Sequence, residues 1–254
     1  MSLNEALRNI TDVIFPPRCL GCAEILPQRS SQAFCPACKE KIRFITGSLC
    51  PICGIAFFDS PASDHLCGNC LESKPYFCLA RAVASYETLI LDAIHQFKYG
   101  RNISAGATLA SFMAEFCFPD FDFTDYSLII PVPLHIRRLR ERSFNQSLIL
   151  AQAIEKKYQI PVNFSLLKRR KFTLTQTGLD KKERKNNIEG AFAVTDNAKT
   201  EGKNIILIDD VYTTGATINQ CAKTLIKAGA GKVAVLTLAR VLEQATFHSY
   251  ISRK

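Results

Sequence analysis

Along the chain, apolar positions recur first at helical spacing and later as short continuous runs. Leu3, Leu7, Ile10 and Ile14 lie behind a Ser2–Glu5 capping pattern and ahead of Pro16-Pro17, which predicts a short amphipathic helix over 2–14. Its polar face mixes acids with Arg8, so it reads as a helix packed on its own protein, not on a membrane. Beyond residue 126, runs alternate with periodic stretches. Residues 127–133 (Ser-Leu-Ile-Ile-Pro-Val-Pro) predict a buried strand entering a turn, and about 144–158 a helix with Leu148, Ala151, Ile154 and Tyr158 on one face. A short strand is expected near 162–167, another over 204–209, a helix presenting Ile218, Ala222, Leu225 and Ile226 and stopped by Gly229, and a last strand over 233–238. Such alternation predicts a parallel sheet with helices on both faces. Ligands of these sheets bind at the carboxyl ends of strands, where Asp209 and Asp210 fall. Residues 168–190 are polar, basic and too long for a simple connection, which makes them a candidate mobile lid.

The chain's 254 residues suggest one large or two modest domains, and 47% apolar with 22% charged residues is ordinary globular composition. No apolar run approaches the ~18 residues of a membrane span, and the N-terminus lacks a secretion-signal core. The expectation is a cytoplasmic protein. In that reducing compartment a chain of this size needs no disulfides, so its 11 cysteines call for another explanation.

Nine of the 11 lie within the first 78 residues, and eight form Cys-x-x-Cys pairs: Cys19/Cys22, Cys35/Cys38, Cys50/Cys53 and Cys67/Cys70. Two intervening residues let one tight turn aim two thiolates at one ion, and two such turns close a tetrahedral four-cysteine shell typical of structural zinc. Pro36, Pro51, Gly54 and Gly68 supply turn formers in or beside the pairs. Four pairs in tandem favour zinc over disulfides, a redox pair or an iron–sulfur cluster. Sequential and cross-braced pairings use the same eight ligands, and both stay open here. A closed shell is structural and leaves no position for catalysis. Cys78, Cys117 and Cys221 have no spaced partner and read as small buried residues. The cysteine distribution divides the chain into 1–75, a helix plus double ribbon, and 76–254, an α/β domain. On that division, serine at Cys53 would unsettle 19–70 and leave the later domain largely folded.

Directly after the 204–209 run stand Asp210-Val-Tyr-Thr-Thr-Gly215-Ala-Thr217 and then a helix. Backbone amides of Thr213 to Thr217, on a loop entering a helix N-terminus, can point together at an anion. Gly215 allows close approach and the threonines add hydroxyl donors. Two adjacent carboxylates would repel a second phosphate, but they accept hydrogen bonds from a vicinal diol. A sugar carrying one terminal phosphate and two free hydroxyls fits. No GxxxxGK[ST] loop is present, and Gly229-Ala-Gly231 lies after a helix, the wrong context for dinucleotide binding.

Residues 205–217 resemble the phosphoribosyl-pyrophosphate (PRPP) motif of type I phosphoribosyltransferases. With the tandem cysteine pairs in front, the chain is similar to the ComF (GntX-like) family of competence proteins over roughly residues 13 to 240. The likeness includes Phe15-Pro-Pro-Arg-Cys19, Lys98-Tyr99, Pro131-Val-Pro-Leu-His135, Arg137 to Gln146 and the stretch 176–192. The resemblance implies a type I phosphoribosyltransferase fold preceded by a double zinc ribbon, with Zn²⁺ as structural metal and Mg²⁺ accompanying PRPP. It also implies that Asp209 and Asp210 hold the ribose hydroxyls and serve catalysis, and that Thr213, Thr214, Gly215, Ala216 and Thr217 hold the 5-phosphate. The turn at Leu134, His135 and Arg138 would contact pyrophosphate, and 168–190 would close over the site.

Charge agrees with a phosphorylated ligand. The formal net charge is +9, and 12 of 32 basic residues fall in three clusters: Arg137, Arg138, Arg140 and Arg142; 168–171; and Lys181, Lys182, Arg184 and Lys185. Purine-salvage relatives carry a carboxylate where Thr213 stands, so this chain's acceptor is either already nucleophilic or served by another base. His95 and Lys98 lie in the region that covers the acceptor in type I enzymes. Two function classes follow. One is a transferase moving phosphoribosyl from PRPP to an unidentified acceptor in support of natural transformation. The other is a non-catalytic, PRPP-sensing competence protein that binds single-stranded DNA through ribbons and basic surface, alongside DNA-processing partners. Phe15, Phe34 and Phe44 could stack bases, although packing a small core is the preferred role.

Overall fold

The computed structural model describes residues 16–27, 32–57, 64–99, 103–118, 120–171 and 188–242. The helix expected over 2–14, Phe15, the middle of the 168–190 segment and the third basic cluster lie outside these.

Four parallel strands form the central sheet: β1 (Leu79–Ser85), β2 (Leu128–Pro131), β5 (Asn204–Tyr212) and β6 (Lys232–Arg240), in the order β1-β6-β5-β2. Between β1 and β2 run α3 (Thr88–Tyr99) and α4 (Ile103–Glu115), two helices that the strand-by-strand reading had not assigned. Between β2 and β5 come α5 (Ile136–Arg142), α6 (Gln146–Tyr158) and an antiparallel pair, β3 (Leu167–Arg169) with β4 (Phe192–Val194). The strand expected near 162–167 is instead a single parallel bridge, Val162 to Ile129, followed by the β3–β4 hairpin. Local chemistry sets the helix ends. Asn145 caps α6 by accepting from Ser147 N–H at 3.1 Å, and Gln159 ends it in the left-handed region at φ +58°. Helix α7 (Ala216–Lys227) buries Ile218, Cys221, Ala222 and Leu225, a spacing that keeps one face on the sheet.

Alternation along the strands sorts two cores. Ile206, Ile208, Ala234, Leu236 and Leu238 pack with α3, α4 and α6 on one face. Ile205, Leu207, Val233 and Val235 pack with α7 and the β3–β4 hairpin on the other. Each cysteine quartet joins one of these cores. The first, with short helix α1 (Pro36–Lys39), adds Cys19, Leu26, Phe34, Cys35 and Cys38 to the α3/α4/α6 face. The second, with α2 (Gly68–Glu72), adds Cys50, Cys53, Cys70 and Phe77 to the α7 face. Phe34 meets the Phe112 ring edge-on at 5.4 Å and Phe44 stacks on Phe116 at 6.0 Å, so both ribbon phenylalanines are spent on α4 and its end. Cys221 is buried as expected, but Cys78 and Cys117 are exposed, because each sits in an irregular stretch at the rim of its core.

Candidate functional site

The eight paired cysteines form two groups, Cys19/Cys22/Cys35/Cys38 and Cys50/Cys53/Cys67/Cys70, each with all four sulfurs within 4.8 Å of one another. The pairing is therefore sequential, not cross-braced. Zn–S bonds of about 2.3 Å in a tetrahedron place sulfurs about 3.8 Å apart. Cys22 and Cys35 sulfurs lie at 3.7 Å and those of Cys53 and Cys67 at 3.5 Å, near the metal spacing and far beyond a disulfide bond. The first turn also aims backbone N–H groups of Gly21 and Cys35 at Cys19 Sγ, at 3.4 and 3.3 Å. Burial would raise the Cys19 pKa, but N–H donors from Cys22, Cys35 and Gly21 outweigh it and pull the thiol down to about 6. Burial pushes Cys38 up to about 12, so this thiol would lose its proton to solvent only when a bound metal ion stabilises the thiolate. Two structural zinc ions fit these shells.

The second centre of chemistry lies at the carboxyl ends of β2 and β5. Pro131 stands in register with Ile208, and Val132 N–H donates to Ile208 O at 2.9 Å, which brings the turn after β2 beside the acid pair. Strand β5 does not stop at Asp209. It stays in register with β6 through Asp209↔Thr237 and Tyr212↔Arg240, so both acids stand on the strand itself. Asp209 Oδ1 accepts from Ser147 Oγ at 2.9 Å, at the start of α6, and from Asp210 N–H at 3.0 Å. Burial foremost, and then the charge of Asp210, push the Asp209 pKa up to about 7, against the pull of Ser147, the Asp210 N–H and Lys98. Lys98, at the end of α3, sets its Nζ 2.8 Å from Asp210 Oδ2. Burial alone would strip the Lys98 proton; Asp210's charge and hydrogen bond more than offset this and hold the ammonium above its ordinary range.

The loop Thr213–Thr217 begins where β5 ends. Gly215 caps α7 at φ +73°, with its carbonyl accepting from Asn219 N–H at 2.8 Å, and the first-turn amides of α7 have no partner within their own helix. Thr213 and Thr214 are exposed at this mouth while Gly215 is buried. A Cβ at Gly215 would lie 2.3 Å from the Tyr212 hydroxyl. Gly215→Ala combines that clash with a left-handed backbone, so it should lower Tm and, on the expectation that this loop holds a sugar phosphate, weaken that binding at least tenfold. Isothermal calorimetry and thermal melting of the variant check this.

Of the other expected residues, His135 caps α5, its Nδ1 accepting from Arg137 N–H at 3.2 Å, and Leu134 and Arg138 are half-buried beside it. Arg138 faces Arg169 of β3. Burial first, and then Arg138's like charge, lower the Arg169 pKa, while Asp209 counters from the acid pair. The Arg169 guanidinium itself lies 5.5 Å over the Phe192 ring of β4. Arg142 instead clamps α5 to α3, donating to the Tyr99 hydroxyl at 3.2 Å and lying 5.1 Å over its ring. Spacing had not marked Ser147 or Arg169 as site residues, nor the Lys98–Asp210 pair, whose partners are more than a hundred positions apart.

The double zinc ribbon domain family matches residues 10–71, and the phosphoribosyl transferase domain family matches residues 145–253. The chain is 31% identical to competence protein F of Haemophilus influenzae, over 88% of this chain and 96% of that protein. It is 30% identical to competence protein ComFC of Bacillus subtilis, over 84% and 86% of the two chains. It is 32% identical to the DNA utilization protein YhgH of Escherichia coli K12, over 82% and 90%.

Proposed function

Because the chain belongs to the ComF family of competence proteins, we propose that it binds PRPP with Mg²⁺ at the carboxyl ends of β2 and β5 and transfers the phosphoribosyl group to an acceptor, releasing pyrophosphate, in support of DNA uptake in the cytoplasm. One observation carries this reading: an acid pair on the strand end runs directly into a glycine-capped loop at a helix N-terminus. Asp209 and Asp210 accept from the ribose hydroxyls, and Thr213, Thr214, Gly215, Ala216 and Thr217 hold the 5-phosphate. Arg138 and Arg169 face the pyrophosphate end, where neutralising the leaving group's charge speeds its departure. The acid pair's oxygens suit Mg²⁺, which supplies charge neutralisation to the pyrophosphate. Displacement at the anomeric carbon builds oxocarbenium character, which a nearby carboxylate stabilises. Lys98 stays charged on Asp210 and is no base, and Thr213 cannot be one, so the acceptor is either already nucleophilic or served by a residue of the 168–190 loop.

Among the described residues no helix is long and apolar enough to cross a membrane. The test is calorimetry with PRPP and Mg²⁺ on the zinc-loaded chain. Asp210→Asn should weaken binding by about 1.5–3 kcal/mol, the worth of a strong charged hydrogen bond. Absence of binding to the folded wild type overturns the site. Pyrophosphate release with candidate acceptors separates the transferase from a PRPP-sensing, DNA-binding protein.

A further inference from the structure

Arg240 ends β6 with its guanidinium buried, and among the described residues no carboxylate pairs with it. Its Nη1 donates to the carbonyl oxygen of Cys53, and its Nη2 lies 3.6 Å from Cys53 Sγ, one of the second quartet's four sulfurs. The same guanidinium lies 4.1 Å over the Tyr212 ring. Tyr212 is the last residue of β5, and its hydroxyl fills the space that a Cβ at Gly215 would need. Three consecutive contacts, Cys53 to Arg240, Arg240 to Tyr212 and Tyr212 to Gly215, thus join a candidate metal ligand to the loop at the mouth of α7. The segment cannot drift independently of the sheet. A Cβ at Gly54 would fall 2.2 Å from the Ala80 carbonyl oxygen, Ala80 N–H donates to Ile52 O at 2.7 Å, and Val241 N–H donates to Tyr212 O at 2.9 Å. Among the described residues the first quartet shows no such route. Its turn packs on Leu89 of α3, where a Cβ at Gly21 would meet Cys38 Sγ and the Leu89 side chain.

We propose that Arg240 is a positioning residue that ties the Cys53 thiolate to the phosphate loop through Tyr212. The geometry of the second metal centre then sets the loop's affinity for a sugar phosphate, and an occupied loop is felt at that centre. The physical reason is shared use of one cation. The guanidinium neutralises charge at Cys53 and offers its face to Tyr212, so a shift at either end moves the other. Coupling of this kind is reciprocal. It rests on the reading of 213–217 as a phosphate loop.

Cadmium substitution gives a readout that does not depend on turnover. In the full chain loaded with ¹¹³Cd, each quartet should give its own resonance, and Arg240→Lys identifies the second centre by moving one of them. Ribose 5-phosphate, which carries the diol and 5-phosphate without pyrophosphate, should shift that same resonance and leave the other in place. Tyr212→Leu touches no cysteine of the first centre. It should abolish the ligand-induced shift and weaken ribose 5-phosphate binding about fivefold or more, while both cadmium ions stay bound. If Arg240→Lys does not fold, Tyr212→Leu carries the comparison. Binding of ribose 5-phosphate with no cadmium response, or with equal response at both centres, overturns the coupling and leaves the phosphate loop standing. Failure of wild-type protein to bind ribose 5-phosphate overturns both.

Discussion

Stripping zinc with a strong chelator under reducing conditions should unfold the whole chain in one transition. The cysteine quartets are not appended to the α/β layers; they complete them. Cys19, Cys35 and Cys38 share a core with Ile94, Leu109 and Ile206, and Cys50, Cys53 and Cys70 share the opposite one with Leu207, Leu225 and Val235. Structural zinc contributes roughly 10 kcal/mol or more per site in small domains, which is comparable with the entire stability of an ordinary fold. Without metal, crowded thiols remain in both cores, and a deprotonated one is a buried charge. Tm should fall by about 15 °C or more, with near-UV and far-UV signals lost together. A protease-resistant fragment spanning 79–242 with an unchanged melting curve would contradict this. Cys53→Ser should not stay confined to 19–70: Arg240 bonds to Cys53 from 187 positions further along the chain, so the damage should reach β6.

Asp209→Asn should stabilise the protein above neutral pH while it disables the site. Asp209 has a pKa of about 7 in the folded chain, against about 3.9 for an ordinary aspartate. Between those values the folded state holds a proton that the unfolded state releases. The group's contribution is therefore fully present below about pH 4 and is lost as pH rises through 7. Asparagine still offers an oxygen to Ser147 Oγ and to Asp210 N–H, but it carries no charge to bury. At pH 8 the variant should gain on the order of 2 kcal/mol, roughly 4–8 °C in Tm for a chain of this size. The gap should close toward pH 5. Affinity for PRPP with Mg²⁺ should meanwhile fall at least tenfold. Melting both proteins across pH 5–8 cancels the zinc sites' own pH dependence, and parallel curves would refute the burial argument.

How far the sequence reached depends on the range of the interactions involved. The run Asn204-Ile-Ile-Leu-Ile is legible because every residue wants burial, and the helix after it because Gly215 and Gly229 bracket it. The continuation of β5 through two acids and Tyr212 was not legible, since only the register with β6 sustains it. Strand β1, Leu79-Ala-Arg-Ala-Val-Ala-Ser85, hid because alanine carries little strand preference and Arg81 interrupts the run; its burial comes from its neighbours. The metal ligands showed through local spacing, whereas their grouping needed coordinates. Asp209, Asp210 and the 213–217 loop stand together as one continuous segment. Lys98, Ser147, Arg169 and Arg240 reach the same region from distant elements, and no local pattern announces such meetings. Phe34 and Phe44, for which packing is preferred over base stacking, are indeed engaged with Phe112 and Phe116, but these partners lie on and beside α4 and not within the ribbon.

Strand β1 has β6 as its neighbour in the sheet, and Cys78 N–H beside it bonds to Val233 O, 155 positions along the chain. A ribosome delivers all eight paired thiols long before it delivers their packing partners on β6. During that interval the edge of β1 and the second ribbon lack the cover that β6 gives them, whereas the first ribbon already has α3 and α4 to pack on, and the uncovered surface exposes the nascent chain to misassociation. Such distant pairing also slows folding, because loop closure must precede its reward. Early metal capture shortens the exposure of reactive sulfur, but the second ribbon cannot reach its final seat until Arg240 emerges. For this protein, completion of the metal-bearing core waits on the synthesis of β6, although every metal ligand precedes β1.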